Sequence, residues 1–471
     1  MRLRIISALL VGALVLAAAA LAAGSRNAVG SLSTSIPERY VAIKGARGAG
    51  PEVFDRVFVN EIGPPGASRV LVLVPGFIGG AGDFRLIGRD IVARVPDLQV
   101  WAVDRRSNAL EDTSVFATGD PDKAFAYYLN FKRVDGRTFQ PLSGQDFPYV
   151  REWGLDLALR DLRRVILTAR AGGARKVILG GHSLGASTAV AYSTWDFNGR
   201  PGYKNIDGLV LIDGGLKGTF TSPTFEQVKQ RFNDLQTGDP FVDLVGLGLP
   251  WAAGVFAEDA ALYALKKPNE PSVLQQYPPI PSEFKAPVRT TNEAALGYAF
   301  DQSTSPPGFE LIRVRAGQLA PSGDPRPWQN GEVTPIQRLA QTFGTEPGNG
   351  IEWYFPKRLT LDVDGADELE RNRITDFLGL RPWHTRKVKL PLYAFETDLT
   401  GGTVLRGAKR FIEASKIKRA TLVADNNMSH LDPLTAAPDR NTFLQTVLPF
   451  LRGVLDKGGG HAQPRHKKAS V

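Results

Sequence analysis

The stretch Val70 to Val74, "VLVLV", has no polar face, and it stops at Pro75 ahead of glycine-rich "GFIGGAG". A strand apolar on both sides has to be covered on both sides, as strands in a largely parallel sheet under helices are. The plan recurs in "LQVWAVDRRSN", "RKVILGGHSLG" and "IDGLVLIDGG", and much later in "VKLPLYAFETD" and "RATLVADNNMSH". The shorter runs "YVAIK" and "VFDRVFVNEI" precede them, the second with loose period-2 alternation. Between several of these lie helical patterns. In "REWGLDLALRDLRRVILTARAGG", Trp153, Leu155, Leu159, Leu162 and Ile166 share one apolar stripe, and Gly172-Gly173 ends it. Strands alternating with helices predict an α/β fold, with about eight mostly parallel strands flanked by helices.

Two segments break the rhythm. Thr113 to Val150 is a loop-rich insertion carrying Tyr127, Tyr128, Phe131 and Phe147. Leu216 to Lys387 is far longer and holds 18 of the 33 prolines. It contains helix-like "TNEAALGYAF" and "TPIQRLAQTF" and strand-like "FELIRVRAG" and "RLTLDVD". A segment this long is no loop. The expected organisation is a core over 36–215, an inserted cap domain over 216–387, and the rest of the core over 388–456.

The ends read differently. Arg2 and Arg4 precede an apolar run, Ile5 to Ala19, and Ala20-Leu21-Ala22 is a small-x-small cleavage candidate. Residues 1–28 are therefore expected to act as a signal peptide or as an uncleaved anchor associated with the membrane. Either way the body is extracytoplasmic. Residues 457–471 form a Gly-rich basic tail, expected to be disordered. Arg2, Arg4 and four tail cations carry most of the net charge of +9, which leaves +3 for the body. No nucleic-acid partner is inferred from it. The chain has no cysteine, which excludes disulfides and a thiol nucleophile.

Gly181-His182-Ser183-Leu184-Gly185 satisfies G-x-S-x-G between a strand and a helix-like run, "ASTAVAYSTW". Small flanks let a serine occupy a tight, strained strand-to-helix turn that projects its hydroxyl, while the helix N-terminus offers amides to an oxyanion. In this context the chain resembles the α/β-hydrolase superfamily, in its cap-bearing serine esterase and lipase-like branch. The resemblance covers Tyr40 to Gly215 and Val388 to Leu455. It implies Ser183 as nucleophile and the Leu184 N–H as one oxyanion donor. The family's second donor, matched here in "VPGFIGG", is the Phe77 N–H, although Pro75 stands where the family commonly has histidine.

The base has to come from five histidines. His182 lies in the elbow, where its side chain is expected to point away from the Ser183 hydroxyl. His461 and His466 lie in the tail, and His384 at the cap's exit. His430, in "NNMSHLDPL", follows the last strand, where this fold places its base, and Asp432 is read as shaping that loop. The order Ser…Asp…His favours Asp398 in "AFETDLTGG" as the acid. Glu396 and Asp213, which ends "LVLIDGG", are the alternative acids.

Two further clusters are noted. "DVDGADELE", from Asp362, is read as a solvated acidic turn, since Gly365 is misplaced for a calcium loop. Asp104 to Asn108 follows a core strand and either borders the pocket or forms ion pairs. The expected activity is ester hydrolysis through an acyl-enzyme, with a small-molecule or lipid ester as substrate and no metal or organic cofactor. Trp251, Tyr263, Phe300, Trp328 and Trp353 are expected to furnish an apolar pocket. A lipase with the cap as lid, a peptidase or amidase with the same triad, and a non-catalytic envelope-binding protein on this scaffold are the alternatives.

Overall fold

A computed structural model describes residues 36–456 apart from Thr221 and Glu332. The expectations for residues 1–28 and 457–471 lie outside the described residues.

Eight strands form one sheet: β1 (Glu38–Lys44), β2 (Arg56–Ile62), β3 (Arg69–Val74), β4 (Leu98–Asp104), β5 (Lys176–His182), β6 (Gly208–Ile212), β9 (Leu392–Glu396) and β10 (Ala420–Ala424). Two short strands, β7 (Gly317–Leu319) and β8 (Trp328–Asn330), pair apart from it. The order in the large sheet is β1-β2-β4-β3-β5-β6-β9-β10. Only β2 runs against its neighbours, so the sheet is mostly parallel. This is the mostly parallel α/β sheet expected from the apolar runs, and it agrees with the α/β-hydrolase core that the resemblance implies.

Helices cover both faces. Arg85–Val92 and Thr442–Asp456 cover one, and Leu155–Ala169 and Leu184–Thr194 the other. Along the strand order the direction of progression reverses at β3, which pairs with β4 on one side and β5 on the other. In open α/β sheets the crevice at such a reversal, beyond the carboxyl ends of the strands, is where ligands bind. Here it lies between the Pro75–Gly82 turn after β3 and Ser183 after β5.

The chain between β6 and β9 supplies no strand to the large sheet. "TNEAALGYAF" and "TPIQRLAQTF" fold as the helices Asn292–Phe300 and Ile336–Phe343. Two strand readings inside it are corrected. "RLTLDVD" lies in a helix, Lys357–Gly365, opened by Pro356. Leu359, Leu361 and Val363 alternate because that helix is enclosed on several sides, so apolar residues suit more than one of its faces. "FELIRVRAG" forms a short 3-10 turn, Glu310–Ile312, then extended chain with a single bridge from Val314 to Asp301.

The acidic run from Asp362 is solvated only in part: Glu368 and Glu370 are exposed, but two of its aspartates are not. Asp362 is buried, accepts from the Leu155 N–H at the start of the 155–169 helix (3.0 Å), and is held by Arg358 at 2.6 Å. Asp367 is buried and accepts from the Gly218 N–H. The aromatics of the first insertion pack with those of the second: Phe116, Tyr128 and Phe139 surround Trp353, and Trp251 meets Phe139.

Candidate active site

Ser183 sits between β5 and the helix Leu184–Thr194 with φ 55° and ψ −123°, a conformation that costs about 1–3 kcal/mol for a residue with a Cβ. The packing around it enforces the turn. A Cβ on Gly185 would stand 2.0 Å from the Val74 carbonyl oxygen, so only glycine lets the helix approach β3. The Ser183 N–H donates to the Ile212 carbonyl at 2.8 Å. That contact brings the end of β6, and with it Asp213, next to the serine.

His430 comes to the same place from the loop after β10. Its Nδ1 lies 2.6 Å from Asp213 Oδ2. A carboxylate only accepts, so Nδ1 carries a proton, and in the neutral ring the lone pair is on Nε2. The Ser183 hydroxyl and the His430 Nε2 have no hydrogen-bond partner among the described residues. Ser183, His430 and Asp213 are all buried, at 5%, 2% and 0% exposure. Burial pushes the Asp213 carboxyl up. Hydrogen bonds from His430, from the Thr397 N–H (2.8 Å) and from the Thr397 hydroxyl outweigh it and hold the group below the ordinary aspartate value.

The acid at the histidine is therefore Asp213, and the expectation of Asp398 is corrected. Asp398 turns to the 216–387 segment, where Arg315 Nη2 pairs with it at 2.6 Å and Gln302 donates at 3.1 Å. Glu396 is also elsewhere. It is buried and accepts from the Thr400 hydroxyl (2.9 Å), the Gly402 N–H and the Leu405 N–H (2.9 Å), which fixes the start of the helix Thr403–Ala414. Asp432 fixes the loop of His430 by accepting from the Ser429 N–H (2.7 Å) and from Thr334 (2.6 Å). Burial raises its carboxyl to about 7. His384 pairs with Asp196 at 2.8 Å.

His182 has a part that sequence reasoning missed. Its ring lies against that of His430, with centroids 4.3 Å apart, and its Nε2–H donates to the His430 carbonyl at 2.8 Å. Desolvation, and the nearby His430, lower its pKa to about 3. A histidine at the x position of G-x-S-x-G was the only signal. Since an unfolded histidine titrates near 6.5, the unfolded chain binds a proton here that the folded chain refuses. The stabilisation is full above about pH 6.5 and is lost as pH falls towards 3. Relative to His182→Gln, the native protein is expected to lose about 2 kcal/mol of stability between pH 7 and pH 5. Urea unfolding of both proteins at the two pH values checks this, and parallel slopes would count against a neutral His182.

Of the two expected oxyanion donors, Leu184 directly follows the serine and Phe77 lies in the loop after β3. Leu184 is the first helical residue, so its N–H has no acceptor within the helix. The Phe77 N–H donates to no acceptor among the described residues. The loop that carries Phe77 is close by: a Cβ on Gly76 would stand 3.1 Å from the Ser183 Cβ.

An apolar cleft, partly open to solvent, lies within the 216–387 segment. Phe256, Ala260, Leu296, Phe300, Ile312 and Ile351 are among its walls. Ile351 forms a bridge with Gly79, and Ile312 adjoins Arg313, whose carbonyl accepts from the Leu431 N–H at 3.1 Å. The cleft is thus tied to both loops that border Ser183. Of the five aromatics expected to make a pocket, only Phe300 lines it. Trp251 and Trp353 join the aromatic core, Tyr263 donates to Asp122 (3.0 Å), and Trp328 donates to the Ala316 carbonyl (3.2 Å).

The profile of the alpha/beta hydrolase family matches residues 71–442. No curated protein matches the sequence. Among solved structures, a putative lipase from Sulfolobus solfataricus is similar at 15% identity and TM-score 0.49, covering 91% of this chain and 98% of that one. Epoxide hydrolase A from Mycobacterium thermoresistibile is similar at 14% identity and TM-score 0.43, covering 89% and 99%. A monoacylglycerol lipase from Paleococcus ferrophilus is similar at 12% identity and TM-score 0.37, covering 89% and 99%.

Proposed function

The chain belongs to the alpha/beta hydrolase family, and from that premise we propose that it is a serine hydrolase cleaving carboxylic esters with an apolar acyl or alcohol group. The observation that carries this reading is the pairing of His430 Nδ1 with the buried Asp213, beside a serine in an elbow conformation. His430 Nε2 takes the Ser183 proton as the hydroxyl oxygen attacks the ester carbonyl. The resulting oxyanion is stabilised by the Phe77 and Leu184 amides. The imidazolium, held by the ionised Asp213, returns the proton to the leaving alcohol. Water, deprotonated by the same nitrogen, then releases the acid and restores Ser183. The basic and apolar start of the chain supports export of this activity.

The cleft supports the apolar part of the reading. Each methylene that it removes from water is worth about 0.8 kcal/mol, so kcat/KM is expected to rise by up to about fourfold per methylene until the cleft is filled. A series of p-nitrophenyl esters of increasing acyl length, run beside matched anilides, checks this. A flat series removes the cleft from substrate binding, and anilides cleaved as fast as esters would make the protein an amidase. A lipid ester is the second reading, favoured by exposed Leu247, Leu249 and Leu311, neighbours in sequence of the cleft residues Val245 and Ile312. A rate that jumps above the substrate's aggregation threshold would decide for it.

A further inference from the structure

The turn that carries Phe77 is held from outside by one side chain. Arg105, directly after β4, sends Nη2 to the carbonyls of Pro75 and Gly76 (the latter at 2.8 Å) and Nη1 to the carbonyl of Gly79 at 3.0 Å. The guanidinium also lies over the Phe355 ring, 5.2 Å from its centroid, and that ring meets Phe77 edge-on at 5.0 Å. Between these anchored carbonyls, Ile78 has φ 50°, a left-handed conformation that a β-branched residue adopts only under constraint.

The constraint comes from the segment inserted between β6 and β9. Glu352 pairs with Arg105 Nη1 at 2.9 Å, and its side chain is fully enclosed. Its other oxygen accepts from the Ser107 hydroxyl, and its own N–H donates to the Ile78 carbonyl at 2.7 Å. Four carbonyls of the turn are thus turned towards Arg105 and Glu352, while the Phe77 N–H has no acceptor among the described residues and its neighbour Gly76 lies against Ser183.

We infer that Arg105, locked by Glu352, is a positioning residue that keeps the Phe77 amide aimed at the oxyanion, so that the inserted segment must be docked for Ser183 to act. The inference rests on the serine-hydrolase reading. It gives Asp104 to Asn108 a role beyond ion pairing. Arginine suits the task because its planar fork reaches three separated carbonyls and a carboxylate, whereas lysine offers a single charged centre.

An oxyanion donor stabilises the transition state far more than the bound ester, so loosening it lowers kcat and leaves KM nearly unchanged. In Arg105→Lys, kcat on a soluble p-nitrophenyl ester is expected to fall about 10- to 100-fold with KM within about twofold. Glu352→Gln keeps its shape and should shift kcat in the same direction, by about tenfold or less. A trifluoromethyl ketone analogue, whose adduct with Ser183 places an oxyanion at the same amides, should weaken by the factor lost from kcat/KM. Its Ki does not depend on the fraction of folded protein, so a purely structural role would leave it unchanged.

The proposal is overturned if kcat is retained, if the loss appears in KM, or if Ki stays constant while kcat falls. Should Arg105→Lys not fold, the same three criteria applied to Glu352→Gln decide. Ser183→Ala measured in parallel separates the two levels. An active Ser183→Ala overturns the serine reading and this inference with it. An inactive one beside an unimpaired Arg105→Lys overturns the positioning role alone.

Discussion

Ser183→Ala is expected to lower ester turnover by at least about 10⁴-fold while leaving the thermal melting point close to that of the native protein. The two halves of the expectation come from different features. The hydroxyl is the only atom removed, and it has no hydrogen-bond partner among the described residues, so no buried bond is broken. The strained backbone stays in place because it is set by β3, β5 and β6 packing around the elbow. What remains is attack by water in a site that still has its amides and its histidine, which gives residual acceleration without covalent chemistry. A fluorophosphonate probe should label the native protein and not the variant. Esterase activity undiminished in Ser183→Ala would sink the mechanism.

Asp213→Asn is expected to reduce kcat by about 10⁴-fold, whereas Asp398→Asn should change it by no more than about fivefold. An amide in place of the Asp213 carboxylate can present its NH₂ to the histidine. His430 Nδ1 would then have to accept, and the proton would move to Nε2, where it blocks transfer from Ser183. The variant also loses the negative charge that stabilises the imidazolium. Asp398 lies in a partly exposed pair with Arg315, and pairs of that kind contribute little. Side-by-side kinetics of the two variants check the assignment, and the reverse ranking would return Asp398 to the triad.

That assignment also marks where sequence reading ran out. The parallel sheet was legible because strands such as Val70–Val74 and Val177–Leu179 have no polar face, and only a doubly covered sheet accepts them. Ser183 and His430 were singled out by their positions after particular strands, and the fold brings those two positions to one end of the sheet. Asp213 and Asp398 both end core strands on the same edge of the sheet, and periodicity does not rank them. Two long-range contacts decide. Arg315, from "FELIRVRAG", whose strand-like pattern says nothing of its partner, draws Asp398 away, and Thr397 supplies Asp213 with an N–H and a hydroxyl. His182 shows the same limit. Its place in the motif was visible, but its bond to the His430 carbonyl depends on a loop 248 residues later in the chain.

These separations have a consequence for how the protein is made. Asp213 meets His430 across 217 residues and Arg105 meets Glu352 across 247. Contacts so distant in the chain close late, because loop entropy is spent before they give anything back. During synthesis β1 to β6 leave the ribosome long before Glu352, and His430 follows later still. A nascent chain can therefore hold Ser183 on a formed strand before Glu352 reaches Arg105 and before His430 reaches Asp213. On the mechanism proposed above, such a chain stays inert until nearly its whole length has been assembled.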